Sequence, residues 1–194
     1  MATAMSMDSK STKSMWKFGT REIVYSAIGA ALYGVLSWVF NSLQLPGTTL
    51  VSFRPPVAIP FFMGIVFGPW VGLFTGLVGN IIGDAISGYG FFWAWDVGNG
   101  LLGFIPGLLP LVGVTEIKTG RDYVFAALAA VVASFVGLAF PALIADPFIL
   151  RNIDFAGGLS TEWLPASITD AVNGAILTPI LLYAWNAYRA RSGR

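Results

Sequence analysis

The chain has 194 residues, 56% of them hydrophobic and 11% charged, with a formal net charge of +1 and a mean hydropathy of +0.73. Soluble domains carry about 25% charged residues, so this composition excludes an ordinary globular domain and points to an all-α integral membrane protein. The sequence has no Cys and no His. Their absence excludes disulfides, thiol nucleophiles, thiolate or imidazole metal sites and histidine proton relays. A net charge near zero with no basic patch also offers nothing to nucleic acid.

Residues 1–18 are polar and basic but lack a short apolar core followed by a small-residue cleavage site. They read as a cytoplasmic N-terminal tail rather than a signal peptide, leaving residues 19–190 as a single membrane domain. A spanning helix needs roughly 20 mostly apolar residues, and six segments qualify, near 22–40, 54–69, 70–88, 97–115, 122–145 and 164–188. Segments two and three run together through Gly68-Pro69. Proline lacks a backbone donor and pushes the preceding residue out of the helical region, so the break falls there.

Six spans put Lys10, Lys13, Lys17, Arg21, Lys118, Arg121, Arg189, Arg191 and Arg194 on one side, nine of the eleven basic residues, and leave Arg54 and Arg151 on the other. The excess of Lys and Arg marks the cytoplasmic side, so both termini are expected there. The outer loops, 41–53, 87–95 and 146–163, are then the longer ones, which suggests a site that opens outward under movable loops.

Three segments repeat one polar pattern. Asn80 and Asp84 are four residues apart, while Asp96 and Asn99, like Asp170 and Asn173, are three apart. Either spacing sets a carboxylate and an amide on one helix face. Lipid satisfies none of these groups, so the three faces must meet each other, water or a ligand. Helix–helix hydrogen bonding is the plainer alternative for each of them, and Asp96 and Asp170 could also act as N-caps. Arg54, just before Pro55-Pro56, needs a partner as well: a substrate anion, or Asp84 or Asp96 across the bundle. The run Phe91-Phe92-Trp93-Ala94-Trp95 suits stacking on a flat heterocycle or anchoring at the membrane interface. The candidate binding residues are therefore Arg54, Asn80, Asp84, Trp93, Trp95, Asp96, Asn99, Asp170 and Asn173.

Gly64, Gly68, Gly72 and Gly76 recur every four positions, Gly79 and Gly83 continue offset, and Gly103 pairs with Gly107. Such spacings let helix backbones approach closely. There is no Gly-rich phosphate loop with its Lys and Ser/Thr, so the chain has no ATPase of that kind. No nucleophile and base arrangement is visible either, so no enzyme activity and no cofactor are expected. A hard cation at Asp84 and Asp96 is conceivable, but no metal site is assigned.

The block from Ile59 to Asp84, IPFFMGIVFGPWVGLFTGLVGNIIGD, and that from Trp95 to Pro110, WDVGNGLLGFIPGLLP, follow a first segment bearing Ala27 and Ala31 four apart. Together, over about residues 20–190, they resemble the membrane S component of an energy-coupling factor (ECF) vitamin transporter, with the riboflavin-type branch most similar. The resemblance implies a high-affinity binding subunit in a prokaryotic plasma membrane. Such a subunit docks on a transmembrane coupling (T) protein that carries two cytoplasmic ATPases, and delivers its vitamin by tipping over in the membrane. It also implies that Ala27 and Ala31 contact the coupling protein. A riboflavin-like heterocycle is the favoured substrate, with cobalamin, folate, a thiamine precursor or a queuosine precursor as alternatives. A self-sufficient proton-coupled secondary transporter is the competing reading.

Overall fold

The computed structural model describes residues 15–192, so most of the expected tail, residues 1–14, lies outside the described residues, as does Arg194. The described residues fold into helices without a named strand; one antiparallel bridge joins Gln44 and Ser52. Six helices follow in order: α1, Thr20–Asn41; α2, Pro55–Phe67; α3, Pro69–Ser87; α4, Trp93–Val112; α5, Gly120–Leu150; and α6, Phe155–Arg191. Five of them are long and apolar enough to cross a membrane. The second is not. It consists of a 3-residue 3₁₀ turn and a 10-residue α-helix, about 20 Å at the usual rises per residue against a hydrocarbon core of about 30 Å.

Of the six full spans expected, five are long enough to cross a membrane, and the second is a short helix. Prolines bracket that one: Pro55 and Pro56 start it, and Gly68 before Pro69 ends it. Gly68 has φ +103°, a conformation open to glycine and strained for other residues, so the chain turns there directly into α3.

Two expected boundaries need correction. Helix α4 begins at Trp93 and not near residue 97, which makes Trp93, Trp95 and Asp96 helical. The region 146–163, expected as an outer loop, is mostly helical: α5 continues through Phe140–Leu150 and α6 begins with Phe155–Gly157 and Gly158–Trp163. Both Phe140–Leu150 and Gly158–Trp163 are wide π-type turns. Pro141 and Pro147 remove backbone donors from the first, which favours departure from α geometry. Neither Asp96 nor Asp170 is an N-cap; Phe92 holds that position in α4, and Asp170 lies within α6.

Close packing follows the glycines. A Cβ at Gly76 would collide with the Asn99 backbone carbonyl, and one at Gly72 with that of Gly103, so this face of α3 meets α4 backbone to backbone. The offset pair Gly79 and Gly83 meets Tyr33, Ser37 and Gly34 of α1 instead. The change of register in the glycine pattern is a change of neighbour, and α3 is the central helix of this half. Away from these contacts, apolar side chains stand exposed at helical spacing: Val24, Ile28 and Leu32 on α1, Val124, Leu128, Val132 and Val136 on α5, and Ile168, Val172, Ile176 and Ile180 on α6. Stripes this long would be a liability in water and suit lipid. Trp16 packs edge-on against Trp70, and Phe18 stacks on Phe74, so the chain leading into α1 lies against α3.

Candidate functional site

The polar residues of α3, α4 and α6 meet at the end of the bundle where α1 hands over to α2. Arg54 enters from the segment before α2. Its Nη2 lies 3.0 Å from Asp170 Oδ2, and its Nη1 donates to Asn80 Oδ1 at 3.3 Å. Asn80 is the hub. Its Nδ2 donates to Asp84 Oδ2 and to Asp96 Oδ1, both at 2.9 Å. The four-residue spacing of Asn80 and Asp84 along α3 makes the first contact possible, and the close α3–α4 approach makes the second.

Asn99 is held twice. Its Oδ1 accepts from the Tyr33 hydroxyl at 2.7 Å, and its Nδ2 donates to the Trp95 carbonyl at 2.9 Å. Tyr33, fully buried on α1, is not among the expected site residues. Its position four before Ser37, on the same face as Gly29 and Gly34, is the signal that would have turned it inward.

A cavity of about 130 Å³ lies over this network. Of the expected residues, Arg54, Asn80, Asp84, Trp95 and Asn99 line it. Asp96 and Asp170 are buried just behind and hold Asn80 and Arg54 in place. Two expected residues lie apart. Trp93 is 38% exposed and packs edge-on against Phe140. Asn173 is buried and donates to the Thr169 carbonyl of its own helix.

The structure adds lining residues that the sequence did not flag. Asp146 and Glu162 come from the two wide turns, and Asn41, Ser52 and Tyr89 from the loop side. Trp95 Nε1 donates to Asp146 Oδ2 at 2.8 Å, which ties α4 to α5. Above the cavity the α1–α2 connection reaches α6: Thr49 N donates to the Thr161 carbonyl at 3.1 Å, and the two hydroxyls lie 3.2 Å apart. Leu50, beside this contact, has φ +55°, unusual for a branched residue.

The opposite end has a larger hollow, about 660 Å³, between the end of α2, the α4–α5 connection and the last turns of α6. Its wall holds Glu116, Lys118, Tyr123, Asn186 and Arg189, whereas the buried Arg54–Asp170 pair and the buried carboxyl groups around it lie at the Arg54 end. No cluster of three or more potential metal-ligating side chains occurs among the described residues.

The chain is 28% identical over 179 residues to a UPF0397 protein of Streptococcus pneumoniae strain CGSP14, covering 91% of this chain and 96% of that protein. UPF0397 proteins of strains ATCC 700669 / Spain 23F-1 and P1031 match to the same extent. No solved structure matches the chain. The family model described as "ECF-type riboflavin transporter, S component" matches residues 17–189. The chain therefore belongs to the family of ECF-type transporter S components, membrane transport subunits and not enzymes.

Proposed function

We propose that this chain is the high-affinity substrate-binding subunit of an ECF-type ABC importer in a prokaryotic plasma membrane. It captures a vitamin or related micronutrient with a heterocyclic ring from outside and delivers it inward by tipping in the membrane. The observation that carries this reading is the polar cavity at one end of an otherwise apolar bundle, with Arg54, Asn80, Asp84, Trp95 and Asn99 in its wall. Intramembrane polar groups gathered around a cavity default to a ligand site.

Both termini lie in the cytoplasm in this reading, as the asymmetry of basic residues favours, and the cavity faces outward. Pockets for ring-sized ligands usually enclose about 300–1,000 Å³, more than the 130 Å³ present here. The α1–α2 connection therefore moves off the cavity to admit substrate, breaking the Thr49–Thr161 contacts, and closes over it afterwards. Energy comes from partners, a transmembrane coupling protein and two cytoplasmic ATPases, because the chain lacks a phosphate-binding loop of its own. Ala27 and Ala31 are exposed on α1 and form a smooth patch where the coupling protein docks.

Uptake of a labelled substrate in cells that express the chain with a coupling module tests the reading. Accumulation should require ATP hydrolysis by the partners and survive an uncoupler. Uptake by the chain alone that collapses with the proton gradient at constant ATP would instead make it a secondary transporter.

A further inference from the structure

This inference rests on the binding-subunit reading and concerns the class of substrate. Asp146 lies in the wide turn of α5 and Glu162 in that of α6. Wide π-type turns shift the side-chain register, and here each turns a carboxyl group inward. Asp146 and Glu162 are 3% and 4% exposed and line the same cavity, on two wide turns that pack against each other. Asp146 accepts from Trp95 Nε1. Glu162 Oε2 is buried and accepts from nothing.

Two adjacent buried carboxylates need a proton or a positive group between them. No lining residue supplies an unpaired positive group, so the pair is met either by a proton of its own or by a cation from the ligand. Among the described residues Arg54 is the only basic one in the wall, and it is bonded to Asp170 and Asn80. The other carboxylate atoms buried without a partner in this cluster, Asp96 Oδ2 and Asp170 Oδ1, are acceptors too. The Asn80 and Asn99 amides and the Trp95 indole already donate within the protein. The buried part of the wall thus has acceptors to spare, and its aromatic members, Tyr89, Phe92 and Trp95, offer ring faces that attract cations.

We propose that Asp146 and Glu162 form the recognition end of the cavity and receive a positively charged or amidine-type N–H group, so that the transported compound is a cationic, donor-bearing heterocycle. A neutral flavin would leave the pair to be met by a proton alone, and an anionic pteridine would add negative charge beside it. The proposal narrows the riboflavin-like expectation by the chemistry of this wall.

The test uses the full chain in detergent at pH 7 with three probes: thiamine, a permanent cation; riboflavin, neutral; and folate, an anion. Thermal stabilisation and calorimetric affinity are read for the parent, Glu162→Gln and Asp146→Asn. Thiamine is expected to stabilise the parent, and each variant to bind it about tenfold or more weakly, the loss of a charge-assisted contact. Both substitutions keep size and shape, and the amide oxygen that Asp146→Asn introduces would still accept from Trp95. Should one variant fail to fold, the other carries the comparison. Binding of riboflavin or folate without thiamine overturns the charge assignment and leaves the binding-subunit reading intact. Thiamine affinity unchanged in both variants overturns the role of the two carboxyls. Absence of thiamine binding to the parent overturns the cationic assignment, and the binding-subunit reading is then decided by the uptake experiment.

Discussion

The guanidinium of Arg54 is tolerable inside the bundle because Asp170 and Asn80 are already in place around it. Asp170 is 1% exposed, so removing it strands a buried cation. Breaking one partner of a buried pair typically costs about 3–5 kcal/mol, whereas replacing both by apolar groups of similar volume is often neutral. Asp170→Ala should therefore lower the detergent melting temperature sharply, and Arg54→Met with Asp170→Leu should recover most of the loss. A single variant as stable as the parent would show that water, not Asp170, satisfies Arg54.

At this scale the sequence is informative where spacing alone decides the outcome. Asn80 and Asp84 do share a face and do meet, whereas Asp96 and Asn99, three apart on α4, bond different partners, Asn80 and Tyr33. The sequence places Asp170 in the cluster, but its role as the partner of Arg54 is not legible there, because the pairing joins residues 116 positions apart. Trp93 and Asn173 share the same local signals and point elsewhere. Asp146 and Glu162 escape notice because wide turns break the 3.6-residue period on which the reading depends.

Helix α3 illustrates what an element contributes. Its two glycine registers serve two neighbours, Gly72 and Gly76 facing α4 and Gly79 and Gly83 facing α1. The close approach on the first face lets Asn80 reach Asp96. The bare four-residue spacing of small residues is ambiguous in a membrane chain, however, and Ala27 and Ala31 have it while standing exposed on the outer side of α1. Leucine at the two kinds of position should therefore behave oppositely. Gly76→Leu should abolish a monodisperse folded species, since even a Cβ there meets the Asn99 carbonyl. Ala27→Leu with Ala31→Leu should leave folding and ligand binding intact but abolish co-purification with the coupling protein and uptake. Normal docking by that double variant would make the alanines ordinary lipid-facing residues.

Taken whole, the molecule is an apolar bundle with a buried polar network at one end and an exposed, charge-lined hollow at the other. Lipid-facing stripes on α1, α5 and α6 surround it, and the Arg54–Asn80 network sits under a connection latched by Thr49 and Thr161. The approximate positions of the five long helices are legible from apolar length, and the break between α2 and α3 from Gly68-Pro69. The shortness of α2 is only half legible: its flanking prolines are plain in the sequence, but apolar residues continue beyond them.

The central claim is that the polar end holds a small heterocyclic ligand, and mass spectrometry of compounds released from the purified chain tests it most directly. A high-affinity subunit should carry a vitamin-like molecule in about one-to-one ratio through purification, and Asp84→Asn, which alters the cavity wall while keeping its shape, should reduce that occupancy. A chain that emerges empty from a host rich in vitamins, and gains no stability from any of them, would contradict the account.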